Sequence, residues 1–105
     1  VRELNLSIQL KNIDLSGITF IEELNKVDEE SKELQEALFV YMYSNINPQN
    51  ENIKKAKHHV IEEFWDIVQA NLGVLDKLGI KADEVMKGYS KHLAKLKDRP
   101  RVKED

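Results

Sequence analysis

The stretch FIEELNKVDEESKELQEALFVY, residues 20–41, decides the fold. Phe20, Leu24, Val27, Ser31, Leu34, Leu38 and Tyr41 follow alternating steps of four and three, which is one stripe of an α-helix broken only by Ser31. Ser16 or Thr19 is placed to cap its start. The helix should end near Asn45, because Asn45-Ile46-Asn47-Pro48 is a turn signal and the residue before proline avoids helical angles.

Working outward, a second helix is predicted from about Gln49 to Leu78. Val60, Phe64, Ile67, Asn71, Val74 and Leu78 form one stripe, and Ile61, Trp65, Val68, Leu72 and Leu75 form another beside it. So broad an apolar surface predicts burial on most sides, and a chain this short has too few neighbours to supply it. A second subunit is therefore expected, as a homodimer or a homotetramer. Gly79 suits a helix C-terminus, and Lys77 suits its negative end. A further helix, Ala82 to about Lys97, carries Val85, Met86, Tyr89, Leu93 and Leu96. Residues 1–17 read as a short helix or an irregular arm, and 98–105 as a polar tail. No run has the alternation of a paired strand and no hairpin signal is present, so the fold class is all-α, one domain over residues 1–105.

Composition narrows the function. Apolar residues at 41% argue against disorder, and charged residues at 33% argue against a membrane-spanning chain. No signal-peptide pattern opens the sequence, so a cytoplasmic protein is expected. A net charge of −3 without an obvious basic face speaks against a dedicated nucleic-acid binder. The absence of cysteine excludes disulfides, thiolate metal sites and a cysteine nucleophile. There is no glycine-rich phosphate loop and no Gly-x-Ser-x-Gly elbow.

The remaining chemistry lies in the carboxylates. Glu30 and Glu33 are three apart on the first helix, and Glu63 and Asp66 are three apart on the second, so each pair shares a face. Glu30 lies at the margin of the first stripe, and Glu63 stands in the same relation to the second. Facing carboxylates repel: two unit charges 4 Å apart cost about 4 kcal/mol at an effective dielectric near 20. Several such pairs would consume the roughly 5–15 kcal/mol that stabilises a domain. A divalent cation removes that penalty, and an all-oxygen site suits Mg²⁺ or Mn²⁺.

These residues resemble the MazG-like group of all-α nucleoside triphosphate pyrophosphohydrolases, which carry Glu-Glu-x-x-Glu on one helix and Glu-x-x-Asp on the next. Here the motifs are Glu29-Glu30-Ser31-Lys32-Glu33 and Glu63-Phe64-Trp65-Asp66. The resemblance extends from about Phe20 to Pro100 and includes the ending Leu78-Gly79-Ile80. It implies a four-helix bundle with two long central helices, completed by oligomerisation. It also implies Mg²⁺-dependent hydrolysis between the α- and β-phosphates of a nucleoside triphosphate, giving a monophosphate and pyrophosphate in nucleotide-pool house-cleaning. Glu30, Glu33, Glu63 and Asp66 are implied as metal ligands, and Glu29 as a residue behind them or one that positions water. Lys91, Asn71 and Arg99 are the implied substrate contacts.

Each of these residues has a plainer reading. Glu22 and Glu23 offer a competing acidic pair. Asn71 can be a buried amide satisfied by backbone. Lys87, Lys91 and Lys95 can form a solvated face. His58 and His59, being adjacent, cannot act as ligands on one helical face and read as surface residues. Trp65 reads as packing before it reads as a base-stacking ring. Two rival functions use the same residues: an inert helical interaction module whose acids serve solubility, and a narrow-substrate relative acting on dUTP or phosphoribosyl-ATP.

Overall fold

The computed structural model describes residues 8–46 and 52–98. They form an arm, residues 8–19, followed by helices α1 (Phe20–Ile46), α2 (Ile53–Lys77), α3 (Ala82–Lys87) and α4 (Tyr89–Asp98). There is no strand among the described residues. The long helices α1 and α2 pack antiparallel against each other along their length. Gln49, where the second helix is expected to begin, residues 1–7 of the expected arm or short helix, and residues 99–105 lie outside the described residues.

Thr19 caps α1. Its hydroxyl oxygen accepts from the Glu22 N–H at 3.1 Å and its hydroxyl donates to the Glu22 carboxylate at 3.1 Å. At the far end of α2, Gly79 takes a positive φ of 85°. Its N–H donates to Asp76 O, and the N–H of Ile80 reaches Leu75 O at 2.9 Å, which satisfies two of the last carbonyls of α2. The predicted last helix is divided. Gly88 follows α3 and its N–H is shared between Glu84 O and Val85 O, so the chain tightens there before α4 begins.

The α1–α2 seam has a period of seven. Glu23, Glu30, Ala37 and Ser44 are the buried residues of α1; Ala56, Glu63 and Ala70 stand at the same spacing among those of α2. Half-buried Phe20, Val27, Leu34 and Tyr41, and Ile53, Val60, Ile67 and Val74, fill the alternate positions. This is the spacing of two helices crossing at a shallow angle. Its deepest positions hold small residues and glutamates, not large apolar ones. The buried Ser44 hydroxyl is satisfied by Val40 O at 3.0 Å.

The large apolar side chains lie elsewhere. Leu24, Leu38, Phe39, Phe64 and Trp65 are exposed, and Leu72 is the one large apolar side chain among the described residues that is buried. Phe64 and Trp65 meet edge to face at 5.3 Å on a flank of α2 outside the seam. With Leu10, Val68, Met86 and Tyr89 they border an apolar cleft of about 480 Å³.

The arm straps α2 to α3. Lys11 O accepts from the Gln69 amide at 2.9 Å, and Leu15 O accepts from the Lys77 ammonium at 2.8 Å. The Asn12 side-chain oxygen accepts from the Ala82 N–H at 3.0 Å, supplying the first turn of α3. The arm is thus irregular over residues 8–19. No described helix is long and apolar enough to cross a membrane.

Candidate metal centre

Small residues bring the two long helices together, and the glutamates enter the gap between them. Ala37, Ala56, Ala70 and Gly73 leave little side-chain bulk in the seam. In that register Glu30 of α1 and Glu63 of α2 face each other, at 6% and 8% exposure. Glu33, one turn beyond Glu30, is half-buried. A carboxylate oxygen from each of Glu30, Glu33 and Glu63 lies within 4.8 Å of the others.

Each buried glutamate has one oxygen attended and one abandoned. Lys26, one turn before Glu30, places its ammonium 3.1 Å from Glu30 Oε1 and 3.5 Å from Glu29. The Glu30 carboxylate in turn raises the Lys26 pKa. His59, one turn before Glu63, places Nε2 3.6 Å from Glu63 Oε1, an ion pair only when the imidazole is protonated. Glu30 Oε2 and Glu63 Oε2 are buried without any hydrogen-bond partner. A buried acceptor without a donor is costly, more so when charged. The strain also reaches Glu33, whose carboxyl is pushed above its ordinary value by the Glu30 charge first, then by burial and by the Glu63 charge.

The donor set fits a hard divalent cation. All three groups offer oxygen, no thiolate competes, and a cation between them would supply the missing partner of both abandoned oxygens. Three of the four expected ligands are therefore brought together. Asp66 is not in that group. It is exposed and lines an adjoining cleft with Glu23, Lys26, Glu30 and Gln69.

The other expected residues are more scattered. Glu29 is exposed beside Lys26. Asn71 is exposed rather than buried, and its amide donates to Ile67 O at 2.8 Å on its own helix. Lys91 is exposed on α4, and no ion pair joins it to the carboxylates among the described residues. Arg99 lies outside the described residues. Three residues at the site were not among the expected ligands or substrate contacts: Glu23, read as part of a competing acidic pair, Lys26, and His59, read as a surface residue. The signal for the last two was the four-residue spacing Lys26–Glu30 and His59–Glu63, which puts a cation one turn from each buried acid. Compared with known proteins, the chain matches no family model, no curated protein and no solved structure.

Proposed function

We propose that the chain is a MazG-like nucleotide pyrophosphohydrolase, dependent on Mg²⁺ or Mn²⁺, that cleaves nucleoside triphosphates between the α- and β-phosphates. One observation carries the reading: Glu30 Oε2 and Glu63 Oε2 are buried without a hydrogen-bond donor, in two glutamates that each bring a carboxylate oxygen within 4.8 Å of the other and of Glu33. Acids kept for solubility would stand in water. That favours an enzyme over an inert helical module.

In this reading Glu30, Glu33 and Glu63 hold the cation, and Asp66 approaches from the adjoining cleft. When bound, the ion neutralises phosphate oxygens and lowers the pKa of water, which suits in-line attack on a phosphoryl group. Lys26 holds Glu30 Oε1 at 3.1 Å, and His59, when protonated, pairs with Glu63 Oε1, which leaves the second oxygen of each glutamate for the cation. The backbone contribution is rigidity, because both principal ligands stand on long helices locked by the same seam.

The full assembly in this proposal is a four-helix MazG-like bundle completed by a second copy. Its support is the apolar surface left open by one chain: Leu24, Leu38 and Phe39 on α1, Phe64 and Trp65 on α2. Exposed large apolar side chains in that number on one helix pair suit an interface.

The test is to incubate the purified chain with each common NTP and dNTP, with Mg²⁺ or with EDTA, and to assay pyrophosphate and orthophosphate separately. The expected result is Mg²⁺-dependent pyrophosphate release, reduced about a hundredfold or more in Glu30→Gln while the helical circular dichroism is unchanged. Orthophosphate as the first product, or full turnover in Glu30→Gln, would remove the proposal.

A further inference from the structure

Glu23 is as deeply buried as the carboxylates of the metal centre, at 7% exposure, yet it stands outside their cluster. It lies one heptad before Glu30, about 10 Å along the helix. Helix-terminus electrostatics explain an acid in the first turn of α1, but Glu22 already fills that role from the exposed side, bonded to Thr19. They do not explain why Glu23 is turned inward. Its carboxylate has no hydrogen bond and no ion pair among the described residues.

The seam makes room for it. Gly73 of α2 faces Glu23, and a methyl group at that position would collide with the carboxylate. A glycine inside a helix costs about 1 kcal/mol against alanine. Here the missing side chain leaves the space that the Glu23 carboxylate occupies.

The carboxylate opens into a cleft of about 240 Å³ lined also by Ile13, Lys26, Glu30, Asp66 and Gln69. The donors of that cleft are already engaged. The Lys26 ammonium is held by Glu29 and Glu30, and the Gln69 amide nitrogen is given to Lys11 O. What stays free is acceptor: the carboxylates of Glu23 and Asp66. Ile13 adds an apolar wall from the arm. A ligand fitting this cleft is small, has an apolar face and brings N–H donors to its edge.

We infer that Glu23 reads the nucleobase, accepting a hydrogen bond from an exocyclic amino group, so that adenine, guanine and cytosine are taken in preference to uracil and thymine. The inference rests on the pyrophosphohydrolase reading. With phosphates at the Glu30–Glu33–Glu63 cluster, the sugar spans the distance along α1 and the base reaches the Glu23 cleft. An amino group meets a carboxylate favourably. Uracil and thymine offer one N–H flanked by two carbonyl oxygens, which a carboxylate repels.

The experiment measures kcat/KM for ATP, GTP, CTP, UTP and dTTP with Mg²⁺ on the full chain, for wild type, Glu23→Gln and Gly73→Ala. Glutamine keeps the shape and adds a donor that a carbonyl can accept. Wild type should favour amino-bearing bases by about tenfold or more. Glu23→Gln should bring UTP and dTTP to within about threefold of the others, chiefly through KM. Gly73→Ala displaces the carboxylate and should narrow the preference in the same direction. Pyrophosphate release with no base preference, or a preference untouched by Glu23→Gln, overturns this inference and leaves the hydrolase reading standing. No pyrophosphate from any nucleotide overturns both.

Discussion

The Ala37–Ala56 layer and the Glu30–Glu63 layer lie one heptad apart on the same two helices, and they are buried to nearly the same depth. Ala37 and Ala56 are 3% and 8% exposed; Glu30 and Glu63 are 6% and 8%. Depth is therefore a property of the backbone register, set by how closely α1 and α2 approach. The choice of side chain is a separate matter. One layer holds methyl groups that ask nothing of their surroundings. The other holds two carboxylates, each with an oxygen that finds no donor. Packing and helix propensity both favour alanine at such positions, so by themselves the acids cost the fold stability.

The comparison breaks most sharply by transplanting the acid. Ala37→Glu puts a carboxylate into the alanine layer with no Lys26 or His59 arranged around it. It should lower unfolding stability by about 3 kcal/mol or more, read by urea denaturation. An unchanged midpoint would mean that the seam tolerates acids anywhere. The reverse exchange, Glu30→Ala with Glu63→Ala, should raise metal-free stability by about 1–3 kcal/mol and abolish any heat stabilisation by Mg²⁺. If the double variant is weaker without metal, the acids are structural.

The smallest effect concerns Glu33, whose carboxyl is raised in the folded chain by the Glu30 charge, by burial and by Glu63. A raised acid contributes stability that is fully present below its unfolded value and is lost as pH rises through its folded value. Metal-free wild type should therefore fall behind Glu33→Gln as pH climbs from below the ordinary glutamate range to neutrality. The two should converge in acid. A Tm difference independent of pH would place the effect outside the carboxylate cluster.

The two long helices were legible because the four-three stepping of Phe20 to Tyr41 and the Asn47-Pro48 turn signal in the sequence are local features. The phase of the seam was not. Hydrophobicity marks where large apolar side chains stand, and Leu24 and Leu38 stand outside the α1–α2 contact in a single chain. The true seam runs through Glu23, Glu30, Ala37 and Ser44, so Glu30 lies at its centre rather than at its margin. The i,i+3 spacing of Glu63 and Asp66 likewise promised a shared face. The crossing of the helices admits Glu63 to the cluster and leaves Asp66 beside it. Glu23 was legible only as half of a competing acidic pair with Glu22, because the mark that sets it apart is Gly73, fifty residues away in the sequence. Pairings of that range follow from register, and register is visible only once the helices are docked.

The bond from Asn12 to the Ala82 amide joins positions 70 apart through a side-chain oxygen on one side and a main-chain group on the other. Such a link is asymmetric under mutation. Almost any residue at 82 retains the N–H, whereas at 12 only a short side chain with an acceptor can reach it. This bond thus restricts the side chain at 12 and not at 82, where burial of Ala82 sets the limit instead, and the irregular arm carries the polar restriction for a helix it does not belong to.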